Sequence, residues 1–229
     1  IRLYPDNMFA IKLSSIGIHE NTSVCYDNIS QIIDHAIINN SKILIDAEEH
    51  NIQEKIDEIT NSLIPIYNKN SVNIYKTYQM YKKDALHKLT HDLSHSKDFH
   101  LGIKLVRGAY LHQDKLKNVL CDTEEETHKQ YDQAIVNFSY NSKKHDKLMC
   151  ATHNKKSIKI AKIVLCSEKE TSKLQFSQLM GMSDELTNTL SREGYEVYKY
   201  LPYGNLYDSI PYLSRRLIEN SNMIKYLYV

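Results

Sequence analysis

Seven polar side chains stand out because each sits in, or just after, a short apolar run: Lys12, Asp46, Gln79, Lys104, Arg107, His153 and Gln178. "KLVRGAY" (104–110) is the densest of these places. Two cations flank two apolar residues, a Gly-Ala pair then lets a ligand approach the backbone, and Tyr110 adds an aromatic surface. A second cluster lies near the end of the chain, in "YLSRRLIE" (212–219). There Tyr212, Arg215, Arg216 and Glu219 fall at i, i+3, i+4 and i+7, a polar stripe beside the apolar one of Ile210, Leu213 and Leu217. An Arg-Arg pair on such a helix is ordinarily a solvated face. Its sharper use is an anion clamp, because two guanidinium forks fix one carboxylate or phosphate in orientation. Taken singly the others are ordinary too. Lys12 could snorkel from a strand edge, Asp46 serves equally as a helix N-cap, and His153 as a satisfied core histidine.

The elements that would position these residues follow from periodicity. Short β-rich runs recur at 8–15, 42–48, 72–79, 101–108, 147–153, 174–181 and 196–204. Helical stripes lie between them: Ile29, Ile32, Ile33, Ala36 and Ile37; Ile52, Ile56, Ile59 and Leu63; Tyr131, Ala134, Ile135 and Phe138; Ile158, Ala161 and Val164. Thr123 and Glu126 stand in capping-box spacing ahead of the third. Such alternation predicts βαβ units and a parallel sheet. No G-x-G-x-x-G follows the first strand, which argues against a dinucleotide-binding open sheet. In a (β/α)₈ barrel the polar strand ends would instead converge on one mouth, where active sites lie.

Composition narrows the classes. The 229 residues carry a net charge of +1, so nucleic acid is not expected as a partner. No apolar run reaches the roughly 18 residues of a membrane span. Cys25, Cys121, Cys150 and Cys166 lack C-x-x-C spacing and read as reduced thiols, not as metal ligands. The chain opens on "IRLYPDN", which suggests a mature product or a fragment.

In order along the chain, "IKLSS", "LIDAEE", "TYQMYKKDA", "KLVRGAYL", "ATHN", "QLMGM" and "YLPYGNLYDSIPYLSRRLIEN" resemble the proline dehydrogenases, FAD-dependent enzymes that oxidise L-proline to Δ¹-pyrroline-5-carboxylate. The wording is nearer the mitochondrial eukaryotic branch than the bifunctional bacterial one. The resemblance covers nearly the whole chain and implies a distorted (β/α)₈ TIM-type barrel whose last helix lies over the mouth. It makes Arg215, Arg216 and Lys12 the carboxylate clamp for proline, with Tyr200, Tyr212, Leu179 and Ala109 around its ring and Tyr110 at the substrate edge of the flavin. It places Asp46 and Ala47 near the isoalloxazine and Gln79 on its pyrimidine edge. Lys104 takes the place of a bacterial arginine near flavin N5, keeping the charge and losing the fork. Arg107, Gly108 and Ala109 would receive the phosphates and ring edge, Thr152, His153 and Asn154 the ribityl and diphosphate region. Glu219 would orient the arginines or touch the cofactor. Asp46 and Lys104 are then the candidates for the chemical step.

The same resemblance implies a quinone as electron acceptor, residence on the matrix side of the mitochondrial inner membrane, and peripheral association with it. Residues 1–229 read as one barrel domain, with seven strands where the family has eight. Lys12 belongs to the family's second strand, so the first βα unit is expected to be missing. Two further readings stay open: a truncated or inactive barrel that binds proline or flavin weakly, and another flavin-dependent barrel oxidoreductase.

Overall fold

Each apolar run becomes a parallel strand, and each of the first six strands is followed by helix. The computed structural model describes residues 1–166 and 171–202, together with 207, 210 and 214. The strands are β1 (Met8–Ile11), β2 (Lys42–Ile45), β3 (Ile74–Gln79), β4 (Gly102–Val106), β5 (Lys147–Ala151), β6 (Leu174–Leu179) and β7 (Glu196–Tyr200). They lie side by side in chain order, every neighbouring pair parallel. The helices are α1 (Thr22–Ile38), α2 (His50–Tyr67), α3 (Ala85–His95), α4 (Leu111–Lys115), α5 (Glu124–Asn141), α6 (Lys155–Cys166) and α7 (Asp184–Arg192).

Alternation along the strands sorts side chains into two layers. Ile43, Ile45, Ile74, Ile103, Leu105, Leu148, Cys150, Leu174 and Phe176 join the helical stripes in one large outer core. On the other face Leu44, Tyr75 and Met149 pack with Met8, Ala10 and Tyr198. That inner cluster joins β1 to β7, which do not pair with each other, so the sheet is curled into a half-barrel. Tyr75 spans it, its hydroxyl donating to Gln175 Oε1 of β6 at 2.9 Å. Room for the ring comes from Gly102, its register partner. A Cβ there would lie 2.5 Å from Ile74 O and from Val72 Cγ1, and 2.9 Å from Tyr75 Cγ.

Local signals account for the helix starts. Asn21 caps α1 by accepting from Ser23 N at 2.8 Å and Val24 N at 3.3 Å. The capping box ahead of α5 is formed in both directions. α3 and α7 carry few apolar residues. α3 packs Ala85, Leu89 and Leu93 into the core, and a polar knot also fixes it, in which Asp92 accepts from Lys76 Nζ at 2.7 Å and from Tyr78 OH at 2.5 Å. All strands but β3 end two to four residues before the β-rich runs do, and the ends of the strands with the residues just past them form the site.

Candidate active site

The residues just past the strands' C-terminal ends meet in a cavity of about 220 Å³. Its wall takes Lys12 from beyond β1, Asp46 and Ala47 from beyond β2, Thr77 from β3, Lys104 and 106–110 from β4 and its loop. Residues 151–153 from β5, 177–179 from β6 and Tyr200 from β7 complete it. Three cations and one carboxylate therefore face a single space, a field suited to anionic groups.

Asp46 is not a helix cap. The N-cap of α2 is Glu49, and the backbone N of His50 is taken by Asp114 Oδ1 at 2.8 Å. Asp46 Oδ1 instead pairs with Lys104 Nζ at 2.7 Å, on side chains only 15% and 9% exposed. Lys104 is reached by the register that sets it beside Thr77, and its ammonium lies 5.9 Å from the Tyr200 ring centroid. Lys12, half-buried, has its ammonium 6.0 Å from the centre of the Tyr110 ring.

Arg107 is built in from three sides. Its Nε donates to His128 Nδ1 at 3.0 Å, and its two terminal nitrogens to Thr152 Oγ1 at 2.8 Å and Ser157 Oγ at 3.0 Å. Its plane sits 4.4 Å from the centre of the Tyr131 ring, a cation–π contact. Next to it Gly108 has φ +148°, and a Cβ there would meet the Tyr81 ring at 2.5 Å. The Tyr81 hydroxyl donates to buried Asp114 Oδ2 at 2.7 Å and accepts from Tyr110 N at 3.3 Å. Asp114 on α4 thus fastens the 108–110 loop to the start of α2.

His153 lines the cavity with both ring nitrogens engaged. Leu179 N donates to Nε2 at 3.2 Å, so the proton sits on Nδ1, 3.1 Å from Ser183 Oγ. Burial first, then the Lys199 ammonium, holds this imidazole below the usual histidine range. It fixes the end of β6 in its neutral form.

Of the remaining sequence candidates, Gln79 and Asn154 are not on the wall. Gln79 is buried and its Nε2 donates to Glu48 O at 2.7 Å. Asn154 caps α6, its Oδ1 accepting from Lys156 N at 2.9 Å and Ser157 N at 3.2 Å. Tyr212, Arg215, Arg216 and Glu219, and the helix expected to carry them, lie outside the described residues. Thr77 and Ser177 were missed by sequence reading, as were His128 and Ser157 behind Arg107. Thr77 could have been found by alternation, two residues before Gln79 on the same face. Buried polar atoms without partners among the described residues include Thr77 Oγ1, Gln79 Oε1 and Gln178 Nε2. Thr77 and Gln178 line the cavity, and such orphans fit a polar ligand. Among the described residues no cluster of His, Cys, Asp or Glu could hold a metal, and no helix is long and apolar enough to cross a membrane.

The family model for proline dehydrogenase matches residues 3–227. "Proline dehydrogenase 1, mitochondrial" of Caenorhabditis elegans is 32% identical over 210 residues, covering 85% of this chain and 34% of the relative. The Homo sapiens protein of that name is 34% identical over 200 residues, covering 80% and 33%. "Hydroxyproline dehydrogenase" of Xenopus laevis is 32% identical over 213 residues, covering 86% and 46%. The chain thus spans about a third of the length of the worm and human relatives. Among solved structures, proline utilization A (PutA) from Bdellovibrio bacteriovorus inactivated by N-propargylglycine superposes with a TM-score of 0.84 at 18% identity, covering 92% of this chain and 24% of that one. PutA from Corynebacterium freiburgense gives 0.82 at 19%, covering 95% and 25%. At these identities the likeness is one of fold, that of a distorted TIM-type barrel, while the match along the sequence identifies the chain as a member of the proline dehydrogenase family.

Proposed function

We propose that the chain carries the active site of an FAD-dependent enzyme that oxidises L-proline to Δ¹-pyrroline-5-carboxylate. The observation that carries this reading is the convergence of Lys12, Asp46, Lys104 and Arg107 on one cavity at the strand ends, in a chain of this family. About 220 Å³ suits a small amino acid or one ring system, not a whole dinucleotide. FAD would therefore extend past the cavity along the strand ends.

The residues present fit that cofactor. Arg107 has five N–H donors and, among the described residues, spends three on neutral acceptors, which leaves two for a phosphate. The Gly108 turn and Ala109 bring backbone close beside it, with Thr152 adjacent. The orphaned atoms of Gln178 and Thr77, both on the cavity wall, offer partners for the polar edge of a ring. When bound, FAD would supply the hydride acceptor. Lys12, with Arg215 and Arg216, would hold the substrate carboxylate, orienting the ring as an entropy trap. Tyr110, Leu179, Tyr200 and Tyr212 would wall the pyrrolidine and exclude water. Lys104, desolvated and fixed by Asp46, would stabilise negative charge developing in the site. The substrate amine must be neutral to form the C=N bond, so activity should rise with pH. The same reading makes a quinone the electron acceptor and the matrix side of the mitochondrial inner membrane the location. The worm and human relatives, whose names carry the word mitochondrial, support the organelle.

The test is anaerobic. The chain is reconstituted with FAD and mixed with L-proline, or with 4-hydroxyproline as the competing substrate suggested by the Xenopus relative's name. Bleaching of the flavin band by L-proline at lower concentration than by hydroxyproline is expected. A chain that binds FAD and is bleached by neither removes the oxidative reading.

A further inference from the structure

Arg107 is positioned by a base that can lose its function. Its Nε–H points at His128 Nδ1, 3.0 Å away, which accepts only while that nitrogen is unprotonated. The other supports, Thr152 and Ser157, are hydroxyls that do not titrate. No carboxylate stands within ion-pair reach of Arg107 among the described residues. Asp132 is one step removed, accepting from Ser157 Oγ at 2.5 Å. His128 lies on α5 with its side chain 38% exposed, open to protons from solvent.

We propose that His128 is the positioning residue of the phosphate site, holding Arg107 in its anion-binding pose only as the neutral Nε2–H tautomer, and that protonation of this imidazole releases the guanidinium and weakens the ligand. The inference rests on the reading of Arg107 as a flavin-phosphate ligand. A proton on Nδ1 would set two N–H donors and two positive charges against each other across 3.0 Å. Charged groups face the ring from each element packed against it. Glu124 of its own helix stands 3.7 Å from Nε2, and Asp132 also favours the cation. Arg107 from the β4 loop and Lys156 from α6 oppose it. Burial, then Arg107, prevails, and the imidazole is held below the usual histidine range. The latch is closed at neutral pH and opens on acidification.

The test pairs two variants with two readouts. FAD affinity of the chain is measured by quenching of flavin fluorescence at pH 7.5 and 5.5. The chain should lose about tenfold or more in affinity at the lower pH, a hydrogen bond to a charged group being the interaction lost. His128→Asn puts a neutral oxygen where Nδ1 was, and should bind normally at pH 7.5 with little loss at 5.5. His128→Ala has no acceptor and should bind weakly at both. An acid loss in His128→Asn as large as in the parent chain would overturn the proposal, as it would assign the loss to another group such as His153. So would normal affinity in His128→Ala. The ¹⁵Nε–H resonance of Arg107 follows the latch without flavin. It should be exchange-protected at pH 7.5, be lost at 5.5, and persist at both in His128→Asn. A chain that binds no FAD at any pH sinks the flavin reading and the ligand half of this inference, while an Arg107 resonance indifferent to pH sinks the latch itself.

Discussion

Arg107 shows how one side chain can be overdetermined and still have capacity to spare. A cationic face stacks on Tyr131, three donors are fixed, and the rest of the fork is unspent. Arg107→Lys keeps the charge and loses the fork, so flavin affinity should fall tenfold to a hundredfold, about 1.5–3 kcal/mol for a charge-assisted hydrogen bond. Arg107→Glu reverses the charge and should leave the purified protein colourless. Full flavin content in the latter, by absorbance ratio, would remove Arg107 from the phosphate site. Arg215→Ala and Arg216→Ala should spare flavin content and lower kcat/KM for proline about tenfold to a thousandfold or more, since truncating one side of a desolvated charge pair costs about 2–5 kcal/mol. Normal proline kinetics in both would return those arginines to a solvated face. Charged residues at strand ends were legible in the sequence because a charge after an apolar run is conspicuous. Thr77, Ser177 and Ser157 were not, since an uncharged hydroxyl in a strand or helix carries no such signal. His128 needed a partner 21 positions away to mean anything.

Gly102 sets the inner packing of the sheet. Ala there would have to displace Ile74 backbone oxygen and the Tyr75 ring, the first of which cannot swing aside. Gly102→Ala should destabilise by about 1–3 kcal/mol, as overpacking does, read as a lower urea midpoint with an unchanged slope. An unchanged midpoint would mean that β3 and β4 can separate freely at this pair. Thr123→Ala removes one half of the capping box of α5 and should cost about 1 kcal/mol. All seven strands were legible as β-rich runs, because helices cover their outer faces and demand Ile, Leu and Val there. Their C-terminal limits were not, because the site residues continue the same composition after the ladder has ended. α1, α2, α5 and α6 announced themselves by stripes of three to five apolar residues. α3 and α7 did not, as they are short and carry few large apolar side chains: Leu86, Leu89 and Leu93 in one, Leu186 and Leu190 in the other.

At the scale of the molecule, partly buried titratable groups make folding sensitive to acid in two windows. His100, His128 and His153 are each held below the usual histidine range, in every case with burial as the leading cause. In the unfolded chain they titrate near 6.5. Above that pH both states carry neutral rings and no free energy is at stake. As the pH falls through about 6.5 and then through the lower folded values, the unfolded chain takes up protons that the folded one refuses, so stability drops. Asp92 acts in a lower window. Burial pushes its carboxyl up, but Lys76, by charge and hydrogen bond, outweighs burial and holds it below the ordinary carboxylate value. The stability it contributes is present above its unfolded value of roughly 3.9 and is lost as the pH falls through the folded one. The urea midpoint should therefore be flat from pH 8 to 7, decline as the pH falls below about 6.5, and fall further below about 4. His153→Asn, which keeps a polar group at the end of β6 without a titrating ring, should shrink the first decline and leave the second. Asp92→Asn should lower the midpoint at pH 7 and shrink the second decline, because the Lys76 ammonium then loses its nearer charged partner and keeps only Asp57 at 4.0 Å among the described residues. A midpoint constant from pH 7.5 to 5 would mean that the three imidazoles are as free to protonate in the folded chain as in the unfolded one, contrary to the packing around them.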